Sequence, residues 1–558
     1  MRAISSRLVI TAAWVVFSLG CPQRSSPAAE PEPSQAPALA SSAKPNLAAP
    51  SGPTASKSSK ATNREIPDLD PYEFTIGVNF RFLGAGDPDG SFPIDRMQSA
   101  GGETFDPRPE RPLGGGWPVL DDDQSLAFTV NSGSSSAFRF SWKGLAGPQD
   151  WYFDYEAKSL KPKRLGARAL TFNVPPDSDI RVTLAGTVTE AHLVPLDQVD
   201  RFEAGLVVDK HVANRAANFS VVRTMQFRDV NEVEGPVTWD GRPRITDRSY
   251  NTPKAAPWEF LCKAVTQLRR HWWINVHVSA DEDYIRKLAT LVKECLDPEL
   301  KVVFEYGNEI WNSAWPFGIG QGYCTEKGKL RDLNPHKYVP GWEYGREDWI
   351  YARLFHGIRT AELGKVFEEV LGKDRVIVAL GGFIWDPPHL AELAMAGAKA
   401  SGGFDAWAVA PYFGNEVGKK LGKMPDAEIY KAMDKALEEV FEAVNIQKSF
   451  ADKYKVALIA YEGGSHMTPP GERSTPKVLR QFERINRSEK MGEWYSRFYE
   501  HWKKAGGGLF LHYALTFPQG QEGGAFGLWE SYVPDAPLLP RAKATLDAWN
   551  AKDWPAPR

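Results

Sequence analysis

The sequence predicts a (β/α)₈ TIM barrel of the α/β class that carries a small antiparallel β-sandwich as an insertion. Two patterns point to it. From about Arg201 onward, seven short apolar runs alternate with helical stretches, the pattern of parallel strands joined by helices. Ahead of them the period changes to two: Leu126, Phe128 and Val130 alternate with other neighbours, as do Phe138, Phe140 and Trp142, Leu170, Phe172 and Val174, and Ile180, Val182 and Leu184. Alternation punctuated by Gly, Pro, Asn and Asp predicts half-buried antiparallel strands.

The N-terminus opens with Arg2 and Arg7 ahead of an apolar run from Leu8 to Leu19, closed by Gly20 and Cys21. That run is too short to span a bilayer as a mature helix, so residues 1–21 read as an export signal. A small residue before Cys also fits a bacterial lipoprotein site, although the large aliphatic residue such sites carry three places before the Cys is here Ser18. Two destinations stay open: an outer-membrane or cell-surface lipoprotein, its only membrane contact a lipid on Cys21, or a plain secreted protein. Residues 22–68 are Pro, Ala, Ser and Lys with almost no large apolar residue, which predicts a disordered tether.

Residues 70–116 hold the first strand, Phe74–Phe80, and a long loop rich in Gly, Pro and Asp; residues 117–198 form the sandwich, and 199–558 the remainder of the barrel. The later strands are Phe219–Met225, Trp273–Val278, Val302–Tyr306, Val376–Leu380, Ala406–Ala410, Val456–Ala460 and Leu509–Tyr513. Helices are predicted at Pro257–Arg270, Asp283–Cys295, Trp349–Leu371, Asp426–Tyr454 and Met491–Lys504, with Leu538–Trp549 last. Asp283 and Asp426 suit caps, and Pro257 a first-turn position. Eight strands each feeding a helix make a barrel, and place the sandwich between its first and second strands.

Net charge of -3 and a pI near 6.4 leave no basic stripe for nucleic acid. The 19 Trp suit stacking on sugar faces and ordinary cores alike. Of the four Cys, Cys262 opens one predicted helix and Cys295 closes the next. Parallel helices would hold those thiols at opposite ends, so no disulfide is expected. The Cys and the 10 His show no metal-ligand spacing, so no metal is expected either.

Active-site residues of such barrels sit at the C-terminal ends of the strands. Those ends carry Arg223, His277, Asn308 with Glu309, Tyr412 and Glu462, with Trp529 in the loop after the eighth strand. Glu309 and Glu462 close apolar strands, and desolvation there raises a carboxyl pKa toward general-acid use. Either glutamate alone reads equally well as the partner of a barrel arginine. Together, on strands four and seven, they face each other across the mouth, as retaining glycosidases require of two carboxyls about 5–5.5 Å apart. Proton transfer and carboxylate attack need no cofactor.

Asn-Glu ending strand four and Glu ending strand seven resemble clan A glycoside hydrolases. The match is closer to exported bacterial proteins with a β-domain inserted after strand one, often labelled cellulose-binding or glycoside hydrolase-like. It is carried by Gly77-Val-Asn79, the arginine after strand two, Trp273–Val278 and Glu305-Tyr-Gly-Asn-Glu-Ile-Trp-Asn312, and runs from Phe74 to the last helix. The resemblance implies a retaining hydrolase acting on a β-linked polysaccharide or oligosaccharide, with Glu309 as acid/base and Glu462 as nucleophile. It implies that Asn308 bonds the sugar 2-hydroxyl, Arg223 keeps Glu462 ionised, Tyr412 bonds Glu462 and Trp529 floors the central subsite.

Some positions stay open. His277 faces the mouth or points into the barrel; Trp529 is a subsite floor or a surface aromatic. Trp311, Trp315 and Trp385 are candidates to line subsites, Trp407 reads as core, and His466 as a solvated loop residue. The alternative to an enzyme is a non-catalytic carbohydrate-binding surface protein on the same barrel. In either case a monomer is expected.

Overall fold

The computed structural model describes residues 65–549 except 82–92, 100, 106–124, 133–134, 145–150, 156–157, 176–178, 186–187, 229, 232–234, 248–249, 251–254, 472–473, 518–523 and 533–535. The expected signal, Cys21 and the tether up to residue 64 lie outside the described residues. No helix among the described residues is long and apolar enough to cross a membrane.

Eight parallel strands close into a barrel: β1 (Ile76–Asn79), β2 (Val221–Arg223), β3 (His271–Val276), β4 (Val302–Tyr306), β5 (Val376–Gly381), β6 (Ala406–Val409), β7 (Ala457–Ala460) and β8 (Phe510–His512). Every predicted strand is present, and neighbours in sequence are neighbours in space, with β8 closing on β1 through Gly77 opposite Leu511. The period-two geometry of a strand sorts the side chains. Val221, Trp273, Val303, Ile377, Ala406, Ala457 and Leu509 point inward and form one buried cluster. Val222, Trp272, Val302, Val378, Trp407 and Leu458 point outward and pack under the helices. Trp407 is accordingly core, its indole N–H donating to Gln447 Oε1 at 2.9 Å. Gly77 is required by the interior, because a Cβ there would come within 2.8 Å of the Val221 carbonyl oxygen.

The helices are set by ordinary signals. Glu282–Cys295 buries Tyr284, Ile285, Leu288, Ala289 and Val292 along one face and stops shortly before Pro298. Its cap is Asp281, which accepts from the Tyr284 N–H, and Asp283 sits in the first turn instead. Pro257 is itself the N-cap of Trp258–Leu268, and Asp426 is the first residue of its helix, after the N-cap Pro425.

Between β1 and β2 the chain forms two antiparallel sheets. One has the order 101–105, 125–131, 179–185, 151–155, 158–159, and the other 188–195, 137–144, 169–173, 163–166. In the second, Phe138, Phe140 and Trp142 are buried while Arg139 and Ser141 between them are half-exposed. The strand Gly101–Phe105 falls within the stretch expected to be loop, because Gly-Gly-Glu-Thr-Phe has no alternation to betray it. The sheets are tied to the barrel side by residues 93–99: Arg96 and Asp209 form a buried ion pair at 2.6 Å, and His192 lies between Asp95 and Glu190, 2.6 Å from each.

The cysteine expectation is overturned. Cys262 and Cys295 are bonded as a disulfide with Cα atoms 6.2 Å apart. The helix containing Cys262 has only 11 residues, and the C-terminal end of its neighbour packs along its second half, where Thr266 Oγ1 donates to the Cys295 carbonyl oxygen. Cys262 is one turn before Thr266 on the same face, so the stagger of two short helices brings the thiols together. Cys324 is buried and free. The bridge closes a separation of 33 residues. Cys262→Ala with Cys295→Ala is therefore expected to cost about 3–4 kcal/mol in urea unfolding. An unchanged midpoint would show that the bridge adds nothing to stability.

Candidate active site

The mouth of the barrel is organised by Arg223, the last residue of β2, which is fully buried. Alternation turns it inward, where its N–H fork meets four acceptors. Nη1 donates to Asn79 Oδ1 at 3.1 Å and Glu462 Oε1 at 2.7 Å; Nη2 donates to Glu305 Oε2 at 2.9 Å and Asn308 Oδ1 at 2.8 Å. Burial works against its charge, but Glu305 and Glu462 outweigh burial and hold the guanidinium above its ordinary pKa. Glu305 Oε2 also accepts from Trp273 Nε1 at 2.8 Å and Asn275 Nδ2 at 2.7 Å. Its alternation with inward Val303 would have marked Glu305 as an interior residue.

Glu309 stands above this layer, on the turn that follows β4. Gly307 and Glu309 both take positive φ, 71° and 49°. A non-glycine residue held there stores roughly 1–3 kcal/mol and is found where a side chain has been aimed. The Glu309 carboxylate is buried; Oε2 accepts from Asn312 Nδ2 at 3.0 Å and Oε1 lies 3.4 Å from the Tyr461 hydroxyl, a long contact. Burial, and then the charge of Glu462, push its pKa up to about 8, against the pull of Asn312, Arg223 and Tyr461.

Glu462, after β7, receives a donor on each oxygen: Arg223 Nη1 on Oε1 and the Tyr412 hydroxyl on Oε2 at 2.9 Å. Burial raises its pKa, and Arg223 and Tyr412 oppose that rise. The two glutamates thus sit in one dry mouth with different partners. Only Glu462 has a cation on it, while Glu309 has one amide and one distant hydroxyl. Burial raises the pKa of both carboxyls, and the direct cation contact that opposes it falls on Glu462.

The structure thus gathers Arg223, Asn308, Glu309, Tyr412 and Glu462. Asn308 also donates to Asn231 Oδ1 at 3.2 Å. Trp311 belongs to the same cluster: its indole N–H donates to the Tyr461 hydroxyl at 3.1 Å, and its ring stacks on Phe383 at 4.2 Å. His277 is buried just past β3, its Nδ1 2.8 Å from Ser279 Oγ, and it lines a cavity of about 200 Å³ with Arg228, Asn275, Trp258 and Tyr284.

Trp529 is not brought to the mouth. It packs edge-on against Phe219, ahead of β2, with Arg215 over its ring at 5.3 Å, in the layer between strands and helices. The aromatic that follows β8 is Tyr513, whose hydroxyl donates to Gln226 Oε1 at 3.1 Å and whose peptide bond to Ala514 is cis. His466, expected in solvent, is buried against Tyr412 and Phe526, and burial drops its pKa to about 4. Tyr461 faces inward by the same alternation as Ala457 and Ile459. Among the described residues no three His, Cys, Asp or Glu side chains gather as a metal set.

No family model matches the chain, and no curated protein does. Among solved structures, a GH51 arabinofuranosidase from Xanthomonas axonopodis is similar at 15% identity and a TM-score of 0.38, over 60% of this chain and 64% of that one. The chain therefore spans less than two thirds of that enzyme's length. Cel5A from Thermotoga maritima, in complex with mannotriose, is similar at 13% identity and a TM-score of 0.32, over 62% and 92%. A Cellvibrio japonicus xylanase in complex with xylopentaose is similar at 8% identity and a TM-score of 0.29, over 81% and 97%.

Proposed function

We propose that this chain is a retaining glycoside hydrolase acting on a β-linked polysaccharide or oligosaccharide. The observation that carries the reading is the buried pair Glu309 and Glu462, held in one mouth with a guanidinium bonded directly to Glu462 alone. In the first step Glu309 passes its proton to the glycosidic oxygen, the bond from that oxygen to the anomeric carbon breaks, and a carboxylate oxygen of Glu462 bonds to that carbon. In the second step Glu309 takes a proton from water, the hydroxide attacks the same carbon, and Glu462 leaves as carboxylate. Arg223 and Tyr412 each donate to one oxygen of Glu462 and fix its carboxyl, and Asn308 offers its amide to the neighbouring hydroxyl. The residues supply acid, base and nucleophile themselves, so the scheme uses no cofactor. The N-terminal run, the tether and the disulfide together support export, with Cys21 as the proposed site of a lipid anchor.

The pH profile tests the assignment. Glu309 must be protonated and Glu462 ionised, so kcat/KM should fall above about pH 8 as Glu309 loses its proton, and fall again in acid as Glu462 gains one. Glu309→Ala is expected to lose about 10²–10⁴-fold on substrates with a sugar leaving group. It should lose far less with a dinitrophenyl leaving group, lose the alkaline limb, and give a glycosyl azide of retained configuration when azide is added. Equal losses on both leaving groups would remove Glu309 from the acid role. Wild-type protein that binds glucan, xylan or mannan but releases no sugar would instead support the carbohydrate-binding alternative.

A further inference from the structure

All three exposed tryptophans among the described residues lie in the segments that follow β4 and β5: Trp315 at 62% exposure, Trp349 at 49% and Trp385 at 47%. A large apolar ring left in water is unremarkable singly, but exposed rings on adjoining segments that lead out of the barrel mouth are candidates for an interaction surface. Two of the three are tied to the catalytic mouth. The stacked pair of Trp311 and Phe383, centroids 4.2 Å apart, locks the two segments together. Trp315 follows Trp311 by four residues and Trp385 follows Phe383 by two, so the two exposed indoles flank the locked pair within a short length of chain. Neither has an aromatic stacking partner among the described residues.

The link to the acid is direct. Asn312 donates to Glu309 Oε2 at 3.0 Å through its amide nitrogen, and its amide oxygen accepts the Ala314 N–H at 3.0 Å, one residue before Trp315. Trp311 reaches the same carboxyl through the Tyr461 hydroxyl. The loop that presents Trp315 is therefore built on the side chain that protonates the departing sugar, and what leaves the bond departs on the Glu309 side.

We propose that Trp315 and Trp385 form a stacking platform for the leaving-group portion of the substrate, a chain of pyranose rings with apolar C–H faces. This rests on the glycosidase reading above and deepens it: the leaving side of the substrate is an extended sugar chain rather than a small aglycone. Indole rings suit such a chain because they offer a flat apolar face at little entropic cost. Trp349, at the start of the helix Asp348–Leu371, lies further along the same segment and stays outside the proposed platform.

The test compares leaving groups. Wild type, Trp315→Ala, Trp385→Ala and the double variant are assayed on cello-, xylo- and manno-oligosaccharides from disaccharide to hexasaccharide, and on 4-nitrophenyl β-glycosides that have no sugar on the leaving side. Both positions are exposed, so the variants should keep the wild-type Tm. In wild type kcat/KM should climb with chain length. Each single variant should lose about tenfold on the longest chains and the double variant more, while 4-nitrophenyl glycoside hydrolysis stays within about twofold. Trp315→Phe should recover part of the loss. Normal 4-nitrophenyl hydrolysis with unchanged length dependence in the double variant would overturn the platform and leave the glycosidase reading standing. Absence of hydrolysis of every substrate by wild type would overturn that reading, and the platform with it.

Discussion

Glu462→Ala is expected to lower kcat on every glycoside the wild type cleaves by about 10⁴-fold or more, with sugar binding retained. Removing a nucleophile deletes the covalent route altogether, and losses of that order or larger follow in enzymes whose catalytic residues act as a unit. The alanine takes one carboxylate from buried Arg223, which keeps its ion pair with Glu305, so the variant should lose some stability yet stay folded. Azide tests what remains. It fits the vacated space and attacks from the side Glu462 occupied, so an activated substrate should give a glycosyl azide of inverted configuration. That is the opposite stereochemistry from the Glu309→Ala product, and the contrast assigns the two roles in one assay. A Glu462→Ala protein of full activity would remove Glu462 as nucleophile.

The second large effect concerns Arg223. Arg223→Met should destabilise the fold by about 3–5 kcal/mol, because it strands charge in a dry interior. The loss is unequally felt. Glu305 keeps the donors Trp273 and Asn275, whereas Glu462 keeps only Tyr412. With its cation gone, Glu462 should hold its proton to higher pH, so the variant also loses the nucleophile near neutrality. Glu305→Gln added to Arg223→Met removes one of the stranded charges and should recover part of the stability but none of the activity. Urea unfolding reads the first effect and the acid limb of the pH profile the second. An unchanged unfolding midpoint would mean that the network is dispensable to the fold.

Much of this was legible in the sequence, for physical reasons that can be named. The strands of a parallel barrel are buried on both faces, so each reads as a short apolar run, and a glutamate closing such a run is conspicuous. Glu309 and Glu462 are visible for that reason. Arg223 is visible because an arginine ending Val-Val-Arg must point somewhere dry. Glu305 is harder to see, since it sits inside its run and only the inward phase set by Val303 reveals it; Tyr461 is hidden in the same way. Trp529 illustrates the limit of chain order: sixteen residues beyond Tyr513, it turns back to Phe219 and leaves the mouth to Tyr513.

The disulfide illustrates a different limit. Helix direction can be inferred from a βα repeat, but the stagger between neighbouring helices depends on their lengths, and Trp258–Leu268 is shorter than its sequence pattern suggests. The helix Gly318–Leu330 carries four glycines, among them Gly320 and Gly322, and has no continuous apolar stripe, so nothing in its period announces it. Its glycines have a use in packing: a Cβ on Gly328 would meet the Tyr351 carbonyl oxygen at 2.7 Å.

In the proposed mechanism Glu462 forms a bond to the sugar while Glu309 manages the proton. That division of roles is tested most directly by incubating the wild-type protein with an activated 2-deoxy-2-fluoro β-glycoside, in which formation of the intermediate outpaces its hydrolysis, and weighing the intact protein. The expected result is a mass increase of one fluoroglycosyl unit, located by peptide mapping on the segment containing Glu462 and absent from Glu462→Ala. A label carried by Glu309 or Glu305 instead, or turnover of the ordinary substrate with inversion at the anomeric carbon, would contradict it.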